Sequence, residues 1–170
     1  MTSPADHPDW DDAVVVALGS NLGESRAVLE RALRSLDQAG LTVRARSGWW
    51  RSTAWPDSAD PDFLNGVALV ATDRPPEEVL DVLLQIERES GRVRSVANAP
   101  RTLDLDLIAY GRLVRAGAAL TLPHPRAQDR LFVMGPLAEI APAWRHPVTD
   151  ETAEALARSA AQGRDAAPVS

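Results

Sequence analysis

Two aspartates spaced two residues apart, in Leu103-Asp104-Leu105-Asp106-Leu107, are the residues of this chain best suited to carry chemistry. In an extended strand successive side chains point to opposite faces, so Leu103, Leu105 and Leu107 share one face and Asp104 and Asp106 the other. At ~3.3 Å of rise per residue the two carboxylates stand about 7 Å apart, a span from which both can reach divalent ions. Aspartate is a poor strand former, and like charges on one face repel, so the pair calls for something positive beside it. Mg²⁺ suits it, because that ion takes a few carboxylates together with phosphate oxygens and water. A solvated sheet face is the competing reading of any such pair.

The loop before it narrows the choice. Arg92, Arg94 and Arg101 lie within ten residues of otherwise small or polar sequence. Guanidinium forks match phosphate oxygens, so arginines beside paired acids point to a polyphosphate held between cation and guanidinium. Each feature alone also fits a charged surface. Downstream, His124 in Pro123-His124-Pro125 and the isolated Arg130 read equally as ordinary surface or core residues. Gly19-Ser20-Asn21-Leu22-Gly23 lacks the lysine and spacing of a Walker loop and reads as a tight strand-to-helix turn. Trp49, Trp50 and Trp55 cluster with Phe63 and Asn65 around a proline-containing loop. They are either core aromatics or the walls of a slot for a flat heterocycle, with Asn65 reading its edge.

The elements that must position these residues follow from periodicity. The valine-rich run 13–18 predicts a buried strand, and Val28, Leu29, Ala32, Leu33 and Leu36 predict a helix over 24–39 stopped by Gly40. Alternation from Leu41 predicts a strand continuing to Trp50, and residues 63–72 a third strand. Pro75-Pro76-Glu77-Glu78 opens a second helix that Gly91 ends. Residues 102–110 form a further strand. Leu113-Val114 and 120–122 pair as a hairpin, Pro136, Pro142 and Pro147 cut the later chain into short pieces, and 151–161 form a last helix. The order predicts an α+β fold: a ferredoxin-like βαββαβ antiparallel sheet with helices packed on it, in three α-β-α layers. The expected organisation is a flexible leader over 1–12, one domain over 13–160 and a flexible tail over 161–170.

Bulk properties set the outer limits. A chain of 170 residues suffices for one well-buried core. A net charge of −6 argues against nucleic acid as the main partner, and no stretch resembles a signal peptide or a membrane span. The absence of cysteine excludes thiolate metal sites and fits a reducing cytoplasm. The expectation is a cytoplasmic monomer acting on small molecules, with neither nucleic acid nor membrane as partner.

Taken together, the motifs resemble one family, the 6-hydroxymethyl-7,8-dihydropterin pyrophosphokinases of folate synthesis. The resemblance runs over about 14–142: Ala17-Leu18-Gly19-Ser20-Asn21-Leu22-Gly23, Trp50-Arg51-Ser52-Thr53, Pro61-Asp62-Phe63-Leu64-Asn65, Ile86-Glu87, Gly91-Arg92-Val93-Arg94, Pro100-Arg101-Thr102-Leu103-Asp104-Leu105-Asp106, Pro123-His124-Pro125, Arg130, Phe132 and the segment 136–142. It implies transfer of pyrophosphate from ATP to the pterin hydroxymethyl group. Asp104 and Asp106 would ligate two Mg²⁺ ions, and Arg92 and Arg101 would contact the phosphates and stabilise moving charge. Glu87, Arg94, His124 and Arg130 would complete the ATP site. Ser52, Thr53, Trp55, Phe63 and Asn65 would wall the pterin slot, with Phe132 stacking on the ring. The loop 92–100 would act as a lid. Two rivals keep part of this: another Mg²⁺–nucleotide transferase with a different acceptor, and a ligand-binding module without catalysis. The second leaves the paired acids unexplained.

Overall fold

The computed structural model describes residues 10–21, 24–53, 62–90 and 103–169. Strand β1 (Val14–Ser20) is buried along its whole length, which is why its sequence runs apolar instead of alternating. Helix α1 (Ser25–Gln38) buries Val28, Leu29, Ala32, Leu33 and Leu36 on one side. It stops at Gly40, whose φ of 89° is open to glycine at no steric cost. After β2 (Thr42–Arg46) and β3 (Trp50–Ser52) comes β4 (Phe63–Ala71). Helix α2 (Pro76–Glu89) has proline and two glutamates in its first turn and buries Val79, Leu83 and Ile86. Strand β5 (Asp104–Tyr110) follows, then the pair β6 (Arg115–Ala116) and β7 (Thr121–Leu122), α3 (Leu131–Ile140), α4 (Ala153–Ser159) and β8 (Ala167–Pro168).

The main sheet runs β5-β1-β4-β3-β8, and β2 shares the β4 edge with β3. Its paired strands are all antiparallel. Val14, Val16, Leu18, Leu105 and Leu107 pack with α1 and α2 residues on one face. Val15, Ala17, Val67 and Leu69 pack with Met134, Leu137 and Leu156 of α3 and α4 on the other. Full burial of Leu29, Leu36, Leu83 and Leu137 contributes roughly 1.5–3 kcal/mol per side chain from solvent exclusion. The sheet is thus clamped rigidly between two helical layers, and its face can hold functional side chains in fixed register.

Four sequence expectations need correction. The expected strand from Leu41 to Trp50 is two strands, because Ser47 leaves the ladder: its hydroxyl receives the Val67 N–H at 2.9 Å. Glu139 then takes the Gly48 N–H at 2.7 Å. The expected break at Pro136 is a helix instead. Proline removes one backbone donor there, but Val133, Met134 and Leu137 are buried against the sheet and hold the turn together. The first strand of the hairpin starts two residues later than expected, from Arg115 and Ala116 paired with Thr121 and Leu122, leaving Leu113 and Val114 exposed before it. The expected flexible tail packs across the body through residue 169: β8 pairs with β3, and the Val169 N–H donates to the Trp49 carbonyl at 2.9 Å. Of the expected leader, Trp10 packs against the α3–α4 core, and residues 1–9 lie outside those described.

Candidate active site

The alternation expected of β5 places its residues in two layers. Leu103, Leu105 and Leu107 enter the α1–α2 core, and Asp104 and Asp106 stand on the opposite face, the former half-buried and the latter exposed. Opposite them in register are Gly19 and Ala17 of β1, two of the smallest side chains in that strand. Small residues beside the acids leave a hollow, and a cavity of about 700 Å³ opens there. Ala17 and Gly19 floor it; Asp104 and Asp106 flank one side, and Ser52, Thr53, Phe63 and Asn65 the other. Arg126, Arg130 and Phe132 face them, with residues 161–165 alongside. A second depression, bounded by Asp11, Arg112, Arg145 and Asp150, is spanned by ion pairs of Asp150 with Arg112 at 3.6 Å and Arg145 at 3.2 Å. It carries no comparable set of groups.

Asn65 is held in one orientation. Its amide nitrogen donates to the Ser52 hydroxyl at 2.9 Å and to the Trp50 carbonyl at 3.3 Å. With the donor end engaged, the amide oxygen lies over the floor, 3.4 Å from where a Cβ on Gly19 would sit. The site therefore offers a fixed acceptor to a ligand N–H. Phe132 presents a ring on the far wall, and the Arg130 guanidinium carbon stands 5.8 Å from its centroid. An aromatic face, an amide acceptor and a hydroxyl suit a flat, polar heterocycle.

The acidic side has the chemistry of a cation–phosphate site. Among the described residues no cluster of three or more His, Cys, Asp and Glu gathers around a common point. A donor set of two carboxylates is short for zinc or calcium but fits Mg²⁺, which keeps water and phosphate oxygens in its shell. Arg126 and Arg130 supply positive charge across the cavity.

His124 and Glu87, expected in the nucleotide site, do not line this cavity. His124 is half-buried beside β5, its backbone N–H donating to the Ile108 carbonyl at 2.8 Å. Burial holds its imidazole below the usual histidine range; the Arg130 and Arg126 charges push the same way, and the Asp106 charge opposes them. Glu87 is buried under the opposite face, where its carboxylate receives the Leu105 N–H at 2.7 Å. It thereby fixes the backbone between the two aspartates. Trp49 and Trp50 do not line the cavity either: the Trp49 indole donates to Glu30 at 2.9 Å beneath Arg46, and that of Trp50 to Glu139 at 2.9 Å. Both are structural, so the tryptophan slot reduces to Phe63 and Asn65 among the described residues. Trp55, Arg92, Arg94 and Arg101, and the expected lid over 92–100, lie outside those residues.

Sequence reasoning missed Arg126 and the wall 161–165. Arg126 directly follows the Pro-His-Pro motif and precedes Arg130 by one turn, a spacing that is visible in retrospect. Residues 161–165 carry no motif; only the packing reveals them.

A family model of 7,8-dihydro-6-hydroxymethylpterin-pyrophosphokinase (HPPK) matches residues 15–142. The chain is 44% identical over 151 residues to a 2-amino-4-hydroxy-6-hydroxymethyldihydropteridine pyrophosphokinase of Synechocystis, covering 88% of this chain and 77% of that one. It is 39% identical over 156 residues to the protein of the same name from Pseudomonas aeruginosa, covering 91% and 96%. Among solved structures, a variant of Plasmodium falciparum HPPK-DHPS with pterin and p-hydroxybenzoate superposes with a TM-score of 0.70 at 13% identity. That match covers 86% of this chain and 43% of the longer one, and it speaks to the fold alone.

Proposed function

This chain belongs to the 7,8-dihydro-6-hydroxymethylpterin-pyrophosphokinase family, and we propose that the cavity beside Asp104 and Asp106 is where it carries out the family's reaction. The chain is a pyrophosphokinase of folate biosynthesis: it transfers pyrophosphate from ATP to 6-hydroxymethyl-7,8-dihydropterin, giving AMP and the pterin diphosphate.

In our reading the pterin lies between Phe63 and Phe132, with Asn65 accepting from a ring N–H and Ser52 and Thr53 closing the near side. Its hydroxymethyl group then points towards Asp104 and Asp106. Those two carboxylates would hold two Mg²⁺ ions, which supply charge neutralisation for the phosphates when bound. Arg130 and Arg126 would face the nucleotide from the opposite wall, and the family resemblance assigns Arg92, Arg94 and Arg101 to its phosphates as well. The hydroxymethyl oxygen would attack the β-phosphorus in line, and AMP would leave. Transfers of this type need little covalent help, so positioning and electrostatics carry the rate. Glu87 and His124 would contribute at second hand, the former by fixing β5 and the latter through its place beside Asp106.

The observation that carries this reading is one cavity flanked by paired carboxylates on one side and an aromatic face with an oriented amide across from them. The strand order, with β2 and β3 sharing one edge of β4, supports reading the core as ferredoxin-like βαββαβ. Because both walls come from one chain, a monomer suffices. Incubation with ATP, Mg²⁺ and hydroxymethyl-dihydropterin should yield AMP in proportion to pterin consumed. Formation of ADP, or nucleotide turnover indifferent to the pterin, would overturn the proposal.

A further inference from the structure

The C-terminal segment belongs to no part of the family match, which ends at residue 142, yet it forms a wall of the cavity. Ala161, Gln162, Gly163, Arg164 and Asp165 all line it. Two independent sets of bonds fix the segment. Towards the Phe132 wall, the Leu131 N–H donates to the Gln162 carbonyl and the Gln162 N–H to the Asp129 carbonyl, both at 2.9 Å. The Asp129 carboxylate also takes the Ala161 N–H at 2.9 Å. Towards the opposite wall, one Asp165 carboxylate oxygen receives the Thr53 N–H at 2.8 Å and, more closely still, the Thr53 hydroxyl. Those donors hold the Asp165 carboxyl below the usual range, so it is ionised at neutral pH. The turn between the two anchors is Gly163 with φ 69°, and a Cβ there would lie 2.6 Å from Phe132 Cδ1. The Phe132 ring therefore rests directly on a bare backbone.

We propose that residues 161–165 are a strap that completes the pterin half of the site, with Asp165 and Gly163 as positioning residues that set Thr53 and the Phe132 ring. This rests on the pterin assignment made above. The strap joins the two walls that face the heterocycle, so its loss widens the slot without touching Asp104 or Asp106. Asp165 and Gly163 sit at its Thr53 and Phe132 contacts, so their loss falls on recognition of the pterin, whereas the bonds of Gln162 to Asp129 and Leu131 flank Arg130.

The test compares full-length wild type with Asp165→Ala, Asp165→Asn and Gly163→Ala, measuring KM for pterin and for ATP separately. Asp165→Ala and Gly163→Ala should each raise the pterin KM on the order of tenfold, within the range that loss of an aromatic stacking contact costs. The ATP KM should stay within about twofold, and Asp165→Asn, which keeps an acceptor oxygen for Thr53, should recover most of the loss. A second measurement needs no variant: amide exchange in 161–166 of the wild type should slow on adding pterin. Pterin KM values within twofold of wild type in both variants would overturn the strap, as would exchange indifferent to bound pterin, while normal AMP formation left the functional assignment standing. Wild type that forms no AMP from pterin would overturn both.

Discussion

Removing the Glu87 carboxylate should loosen β5 from behind. Among the described residues β5 is an edge strand with β1 as its one sheet neighbour, and the Leu105 N–H, between Asp104 and Asp106, turns to Glu87 at 2.7 Å. Leu105 and Glu87 are each 5% exposed, so water cannot readily replace the lost acceptor. Stranding a buried donor costs about 1–3 kcal/mol. For a chain of this size each kcal/mol moves the melting point by roughly 2–4 °C, so Glu87→Ala should melt about 2–12 °C lower. Glu87→Gln retains an oxygen acceptor and should lose much less. Turnover should fall as well, because displacing reacting groups by about 1 Å costs on the order of 10²-fold. Calorimetry and kcat at saturating ATP and pterin measure the two effects. An alanine variant that melts within about 1 °C of wild type and turns over normally would show that Glu87 does not anchor β5. One that melts normally but turns over slowly would place Glu87 on the nucleotide, as the family resemblance implies.

Phe132→Ala should raise the pterin KM about 5- to 150-fold, the equivalent of ~1–3 kcal/mol of stacking, with the ATP KM nearly unchanged; steady-state kinetics in both substrates reads this directly. His146 gives a pH dependence of stability. Its Nδ1 accepts the Val148 and Thr149 N–H groups, each at 3.2 Å, and burial lowers its pKa from the ordinary 6.5, so the folded state favours neutral imidazole. Below pH 6.5 the unfolded chain binds the proton more readily than the folded one, so stability is full above that pH and declines as pH falls towards the lowered folded value. Melting curves from pH 8 to 5 should show a steeper acid loss for wild type than for His146→Gln, and parallel losses would refute it.

Much of this architecture was legible because burial and period agree. The heptad-like apolar spacing of α1 and α2 and the continuous apolar run of β1 each have one stable solution against a two-faced sheet. The acidic pair was legible for the same reason: alternation in β5 leaves Asp104 and Asp106 no other face. What failed was set by long-range contacts. Nothing local in Ser47 says that its hydroxyl will replace a ladder bond, and Pro136 breaks a helix by propensity but not one held by Val133 and Leu137. Glu87 looks like any surface helix acid until the strand above it is placed. The strap is the extreme case, since Gly163 and Asp165 have meaning only through Phe132 and Thr53, which lie 31 and 112 positions away in the chain.

The proposed reaction needs Asp104 and Asp106 to act together on the phosphates from one face of β5. The most direct measurement is turnover of Asp106→Asn at saturating Mg²⁺, ATP and pterin, with its melting curve recorded alongside. Asp106 is exposed on the cavity side of a strand whose other face carries the packing, so the fold should melt as the wild type does. Catalysis should fall to a trace. Near wild-type turnover by that folded variant would mean that the pair does not serve the transfer.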